Sequence, residues 1–477
     1  MAIPVSLIRD LSEPPEPGPV PGAPRPPRRP EPALAGALSV PPTRHPTPEE
    51  LTAAVRALVP VGPGAARRGR RVRLRRVGRS RGGRPLWALS VAGADGAESG
   101  GVLVVAGAHA NEPVGGGTAL ALARLLLAPD RPEGPDPLGR TPWQVLLCAD
   151  PDGAALHRTP APSSLLDYHR GFYRPAGPEQ PEWAPSLLTA DRLPPETLAL
   201  MGLIDRHRPR LQVSLHGTDL GGSWVQLTRE LPGLTGPFAE SAARWGLPVE
   251  TGASDAAGWL SPGPGVFVLP SAGLASADTF HPEDIRLSTW HHAHRHGGTT
   301  AIVEVPMWAG GPVDDPRPHP DPRGELARLA ARLVAESGRI DGAVRALVAA
   351  SGPGAPGAGP EPAALLRAAA WTLEMIPGIA ARWADPRAPI APTEASRGGL
   401  ASLDAFGRRL VLRTAAMAAR AAHASGHPTA AALDARVEGW CAEFTERFAA
   451  RAVPVAVQVE HQLGTVLAAQ AALPARA

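Results

Sequence analysis

Cysteine is almost missing from this 477-residue chain, which holds only Cys148 and Cys441. A disulfide scaffold is therefore excluded, and neither residue belongs to a CxxC pair that would bind metal through sulfur. Aromatic residues make up 4% of the sequence, so a core has to be assembled mostly from Ala, Leu and Val. No run of 18 uncharged apolar residues is found, which leaves nothing to span a bilayer. The opening stretch MAIPVSLIRDLSEPPEP lacks a basic segment followed by a clean apolar one, so an ordinary secretion signal is not indicated and a cytoplasmic location is expected. A formal net charge of +3 is modest for this length and calls for no nucleic-acid or membrane partner.

Glycine and proline, by contrast, are abundant at 52 and 58 residues, about 23% of the chain. The glycines have no period of three, which excludes collagen. Much of the proline lies in residues 11–47, where PPEPGPVPGAPRPPRRPEP removes the backbone donors that a helix or ladder needs, and residues 1–44 read as a disordered leader. The arginine-rich run RRGRRVRLRRVGRSRGGR at 67–84 has no aromatic stacking partners and is broken by Val72, Leu74 and Val77. It reads as a strand and turn carrying solvated arginines. Two further units follow, one domain over 45–318 and an Ala-rich helical domain over 319–477.

From Pro48, the segment PEELTAAVRALV places Leu51, Val55 and Leu58 on one helical face, with acidic residues at its start. Strands are predicted over 72–77, 85–92 and 101–106. GVLVVAGAH, WQVLLCAD, LQVSLHG and TAIVEVPMW are near-continuous apolar runs of the kind that parallel strands buried on both faces require. GGGTALALARLLLA between the first two has helical spacing. The alternation predicts an α/β fold, a mixed and mostly parallel sheet flanked by helices, with a site near its strand ends. After residue 320 the strand signals stop. Amphipathic helices are predicted over 324–348, 361–381, 400–424 and 430–470, and their faces could support a homo-oligomer.

The chemistry-bearing residues sit at the ends of the apolar runs. In AGAHANEPVGGG, His109 and Glu112 follow a buried strand and can converge on one metal if the backbone turns between them. Imidazole and carboxylate together suit Zn²⁺. His216 closes LQVSLHG in the same kind of place, and a third ligand from another strand with an open fourth position is the design of a catalytic zinc site. Glu304 ends TTAIVE, where a carboxylate could take a proton from water and hand it to a leaving group.

In order and type, these motifs resemble the zinc carboxypeptidase family, the group that contains the pancreatic carboxypeptidases. The series runs HxxE at His109 and Glu112, a PDG segment within Asp150 to Gly153, DYHRGF from Asp167 to Phe172, then His216 and Glu304, over residues 45 to 315. The resemblance implies that His109, Glu112 and His216 bind one zinc ion and that Glu304 is the general base and acid. It implies that Arg158 stabilises the oxyanion and Arg170 pairs with the substrate's terminal carboxylate, with His169 beside it and Arg174 a substitute for either arginine. The expected activity is hydrolysis of a C-terminal peptide bond, and the expected partner is a peptide or acylated amino acid with a free carboxylate.

Some positions depart from that pattern. His169 stands where the family has asparagine, and Asn111 where arginine is frequent. HANEP is closer to the HGNEP of amidohydrolases related to aspartoacylase and succinylglutamate desuccinylase, which keeps a deacylase of N-acyl amino acids as the alternative, with a non-catalytic binding protein behind it. No tyrosine lies between His216 and Glu304, and His281 is the candidate for its hydrogen bond. The cluster HHAHRHGG at 291–298 is expected to shape the rim of the cleft.

Overall fold

The computed structural model describes residues 43–60, 66–67, 69–128, 137–158, 163–270, 285–351 and 359–474. The leader up to residue 42 and His281 lie outside them.

Among the described residues, eleven strands make one sheet: β1 (Ala66–Arg67), β2 (Arg70–Arg79), β3 (Pro85–Val91), β4 (Val102–Val105), β5 (Trp143–Leu146), β6 (Leu211–Gly221), β7 (Trp224–Leu227), β8 (Leu260–Gly263), β9 (Val266–Val268), β10 (Thr299–Ala309) and β11 (Arg451–Ala452). Their order is β1-β2-β3-β5-β4-β6-β10-β7-β9-β8, with β11 added against the end of β10. The sheet is mixed. Its centre, β5-β4-β6-β10, is parallel, as the continuous apolar runs require, whereas β2, β3 and β7 join it antiparallel. Every residue of β6 and β10 is buried.

One face of the sheet is covered by α1 (Pro48–Leu58) and α2 (Val114–Leu127), whose Leu51, Val55, Leu122 and Leu126 pack on Val104, Val213 and Val303. Thr47 and Glu50 cap α1 reciprocally, each side chain accepting from the other's backbone N–H at 3.2 and 3.0 Å. The two short helices α3 (Pro151–Leu156) and α4 (Leu165–Arg170) follow β5, and α5 (Pro195–His207) covers the opposite face, placing Leu200, Leu203 and Ile204 on Leu103, Val105 and Leu146. Beside it, Trp183, Trp224, Trp259, Trp290 and Phe267 form an aromatic cluster around Ile302. Helix α6 (Thr235–Trp245) lies between β7 and β8.

Beyond β10 come α7 (Pro322–Ala350), α8 (Pro360–Ala384), α9 (Arg397–Ser425), α10 (Ala430–Arg447) and α11 (Val455–Ala471). Side chains of Asp321 and Ser396 cap α7 and α9, and Gly426 in the left-handed region ends α9. The helices α7 to α10 bury their apolar faces on one another and on Tyr168, Phe172, Met307 and Trp308 of the sheet side, so one core runs through both. The single helical run expected over 430–470 is two helices. The chain turns at Ala449, whose φ is 46°, pairs β11 with β10, and restarts after Pro454, which cannot continue a helix. Helix α11 then returns to the sheet and packs Val459, Leu463, Val466 and Ala469 among the residues of α2 and β10. Among the described residues, no helix is long and apolar enough to cross a membrane.

Candidate metal centre and cleft

His216 and Glu304 are direct register partners on the parallel strands β6 and β10. Side chains opposite each other in a ladder share a face, so the pairing puts imidazole and carboxylate side by side, with His216 Nδ1 3.9 Å from Glu304 Oε1. Both were expected at strand ends. The structure instead runs β6 on to Gly221 and β10 to Ala309, and it is β4 that stops early, with Val105 paired to Ser214 as its last rung. The gap this leaves beside His216 is filled by the loop that carries His109 and Glu112.

That loop leaves β4 through Gly107, whose φ of 61° is in the left-handed region. A Cβ there would also lie 2.9 Å from Cys148 Sγ, so glycine is required on both counts. The turn brings Glu112 between two imidazoles: His109 Nδ1 is 3.1 Å from each of its carboxylate oxygens and His216 Nδ1 is 2.9 Å from Oε2. All three residues are at least 95% buried. Two overlapping groups, His109 with Glu182 and His216, and Glu112 with His216 and Glu304, have ligand atoms within 4.8 Å of one another. Two imidazoles and a carboxylate, converging and withdrawn from solvent, are a donor set that fits Zn²⁺ with a position left over for water.

Glu182, which has no signal in the proline-rich segment PEQPEW, completes the arrangement. It is fully buried; Oε1 accepts the Ser214 hydroxyl at 2.6 Å and Oε2 lies 3.0 Å from His216 Nε2. A carboxylate on the far nitrogen fixes the ring and leaves Nδ1 facing Glu112. Arg174 closes the other side, donating to Glu112 Oε1 at 2.8 Å and lying 3.2 Å from His109 Nε2.

These charges set the protonation of the group. Burial first, and then the Arg174 guanidinium, push His109 down to about 4, so its ring is neutral at pH 7. Burial opposes charge on His216 too, but Glu182 and Glu112 outweigh it and hold its pKa well above the usual histidine value. Burial also works against the Glu112 carboxylate, yet the two histidines keep it ionised. Glu304 is pushed up to about 8, by burial first and by the neighbouring Glu112 charge second, which places it among carboxyls able to take and give a proton near neutrality.

The other residues singled out in the sequence lie elsewhere. Arg158 is largely exposed and pairs with Glu361 of α8, and Arg170 is exposed and 2.5 Å from Glu438 of α10. Neither lines the cleft; the arginine of that region brought to the centre is Arg174. His169 is fully buried, donating from Nδ1 to the Leu165 carbonyl at 2.7 Å with Nε2 3.6 Å from Asp219, a packing position inside α4. In the histidine cluster, His292 and His296 each place Nε2 2.9 Å from Asp205 Oδ1, and His294 bonds Thr228, away from the residues that line the cleft.

The cleft in front of Glu112 and Glu304 is a cavity of about 140 Å³. Arg174, Gln180, Trp183 and Trp224 wall it on the sheet side. Its roof comes from the helical region: Trp371, Thr372 and Met375 of α8, and Phe406, Arg409, Leu410, Arg413 and Met417 of α9. These residues follow Glu304 by 67 or more positions in the chain. Only their spacing carried a signal: 406, 409, 413 and 417 fall on one helical face, two arginines set in an apolar stripe.

Residues 64–224 match the family model described as zinc carboxypeptidase, a segment that contains His109, Glu112 and His216 and stops before Glu304. Among solved structures, the chain is similar to the metallo-carboxypeptidase from Burkholderia cenocepacia, with 16% identity and a TM-score of 0.34 over 54% of this chain and 60% of that one. It is also similar to the carboxypeptidase A from Helicoverpa armigera, with 16% identity and a TM-score of 0.35 over 56% of this chain and 66% of that one. The chain thus spans three fifths of the Burkholderia structure's length. No curated protein matches it at a significant level.

Proposed function

We propose that the protein is a zinc-dependent hydrolase of amide bonds that lie next to a free carboxylate, acting as a carboxypeptidase on short peptides. The observation that carries this reading is the meeting of His109, Glu112 and His216 with Glu304 at one end of a walled cavity. A zinc ion held by the first three would supply Lewis acidity for activating water and polarising a carbonyl. Glu304 takes the proton from the attacking water and delivers it to the departing amine, the work for which a carboxyl with a pKa near neutrality is suited. Arg174, partly exposed on the cleft wall, is the guanidinium placed to receive a developing negative charge on the carbonyl oxygen. Trp183 and Trp224 exclude water from the floor and strengthen each of these interactions.

A second reading, a deacylase of N-acyl amino acids, is favoured by the roof. A roofed cavity of about 140 Å³, open on one side, fits one residue and a short acyl group better than a long stretch of extended peptide. Purified zinc-loaded protein assayed against N-acyl amino acids and against peptides of two to five residues separates the two. Turnover that falls steeply beyond the dipeptide supports the deacylase end of the range, and undiminished turnover of pentapeptides supports the carboxypeptidase. Glu304→Gln is expected to lower kcat by about a thousandfold on any of them. Retention of activity in that variant would remove the proposed proton transfer.

A further inference from the structure

Arg409 and Arg413 lie one turn apart on α9, far in sequence from the metal centre, and both line the cavity in front of it. Their only acidic partner within ion-pair distance among the described residues is Asp219, which is fully buried; Arg409 Nη1 is 3.4 Å from its Oδ1 and Arg413 Nη2 3.2 Å from its Oδ2. Asp219 is ionised, its pKa lowered, because the two arginines and His169 outweigh the cost of burial. Two guanidiniums therefore share one carboxylate within ion-pair distance, and the next acidic groups that act on Arg413, Glu112 and Asp255, lie across the same cavity. Their donors are not used up. Arg409, over 90% buried, also donates to Thr218 Oγ1, yet among the described residues its Nε has no hydrogen-bond partner, and neither does Nε of Arg413. Buried guanidinium N–H groups left unpaired are costly, and a planar pair of carboxylate oxygens is the acceptor their geometry matches. Around them Phe406, Leu410 and Met417 are apolar, which raises the strength of any ion pair formed there.

We propose that Arg409 and Arg413 bind the free carboxylate of the substrate, so that the helical region supplies the anchor which places the adjacent amide in front of Glu304. This deepens the proposed hydrolase reading and rests on it for the identity of the amide. It accounts for the placement of Arg170 on the surface, since the task falls to α9. It also gives the roof a purpose, to hold the substrate's carboxylate from above.

The test compares a carboxylic acid with its neutral amide. Binding of N-acetyl-alanyl-leucine and of its C-terminal amide is measured by calorimetry on zinc-loaded E304Q, which does not turn over. Charge-assisted bonds of this kind predict that the acid binds about thirty- to a hundredfold more tightly than the amide. In E304Q/R413Q that preference is expected to fall to a few-fold with affinity for the amide unchanged, and E304Q/R413K is expected to recover part of it. In the otherwise native enzyme, R413Q should raise KM for the acid and, because the anchor places the amide, lower kcat as well. Equal binding of acid and amide by E304Q overturns the proposal whether or not the arginine variants fold. So does an acid preference that survives in a folded E304Q/R413Q and E304Q/R409Q. If no amide is hydrolysed by the wild-type protein but the arginine-dependent acid preference is found, the hydrolase reading fails and the carboxylate site stands.

Discussion

Glu182 takes no part in the proposed proton transfers, and its effect is exerted through His216. With Oε2 3.0 Å from Nε2 and Oε1 accepting from Ser214, it fixes both the tautomer and the plane of the ring. Replacing it by glutamine keeps the shape and loses the charge. Zinc affinity of Glu182→Gln, measured by chelator competition, should drop by about 10- to 100-fold, the usual consequence of removing a carboxylate behind a ligand histidine. An unchanged affinity would mean that the ring is held by packing alone. A different carboxylate, Asp150, caps α3 through Gly153 N at 2.9 Å while its second oxygen has no hydrogen-bond partner among the described residues, and burial pushes it up to about 7. The unfolded chain releases this proton near pH 4 and the folded one only near 7. Between those values the native state binds more protons, and stability falls as pH rises. Asp150→Asn preserves the cap, because asparagine serves there as well as aspartate. Urea unfolding of the metal-free protein should show the wild type losing stability relative to the variant from pH 4 to 7, by at most a few kcal/mol. Parallel curves would show that Asp150 is ionised in the fold as it is in water.

At the scale of elements, the parts most legible in the sequence were those whose burial leaves a local imprint. GVLVV, WQVLL, LQVSL and TAIVEV became β4, β5, β6 and β10 because strands covered on both faces have no polar alternation to maintain. Short or polar-edged strands left no such mark. β8, LSPG, is mostly exposed and contains a proline, and β11 exists only because Arg451 and Ala452 meet β10 from more than 140 residues away. The same distinction holds in the site. His109 and Glu112 are three residues apart and announce themselves, whereas Glu182 and the α9 arginines join it only through tertiary packing. The roof element makes a prediction of its own. Trp371 of α8 and Met375 one turn on cover the cavity, so Trp371→Ala should open it. Activity of that variant on tetrapeptides, relative to dipeptides, is expected to rise several-fold over the wild-type ratio. A ratio that stays fixed would place the length limit on the sheet side of the cleft.

For the molecule as a whole, the last helix decides how far the catalytic region is self-sufficient. Gln462 of α11 donates to the carbonyl of His216 at 2.7 Å and to that of Val303 at 3.1 Å, and accepts from Thr118 of α2 at 2.7 Å. It thus ties the two strands that carry His216 and Glu304 from behind the sheet. Around it Val459, Leu463 and Val466 are fully buried against α2, β6 and β10. Removing residues 455–477 would expose these contacts at about 25 cal/mol per Å² of apolar surface, and would leave buried amide and carbonyl groups without partners. Both losses fall on the strands that hold the site, so the effect should exceed that of shortening a peripheral helix. The shortened chain is expected to lose its cooperative thermal transition, or to show it at least about 10 °C lower, together with zinc binding. Gln462→Leu, which keeps the apolar packing and removes only the hydrogen bonds, should cost about 1–3 kcal/mol and weaken zinc binding with the fold retained. If residues 43–318 alone unfolded cooperatively and bound zinc as the full chain does, the sheet would be shown to stand without α11. The contacts from α11 to His216 and Val303 would then be a late addition to a finished core.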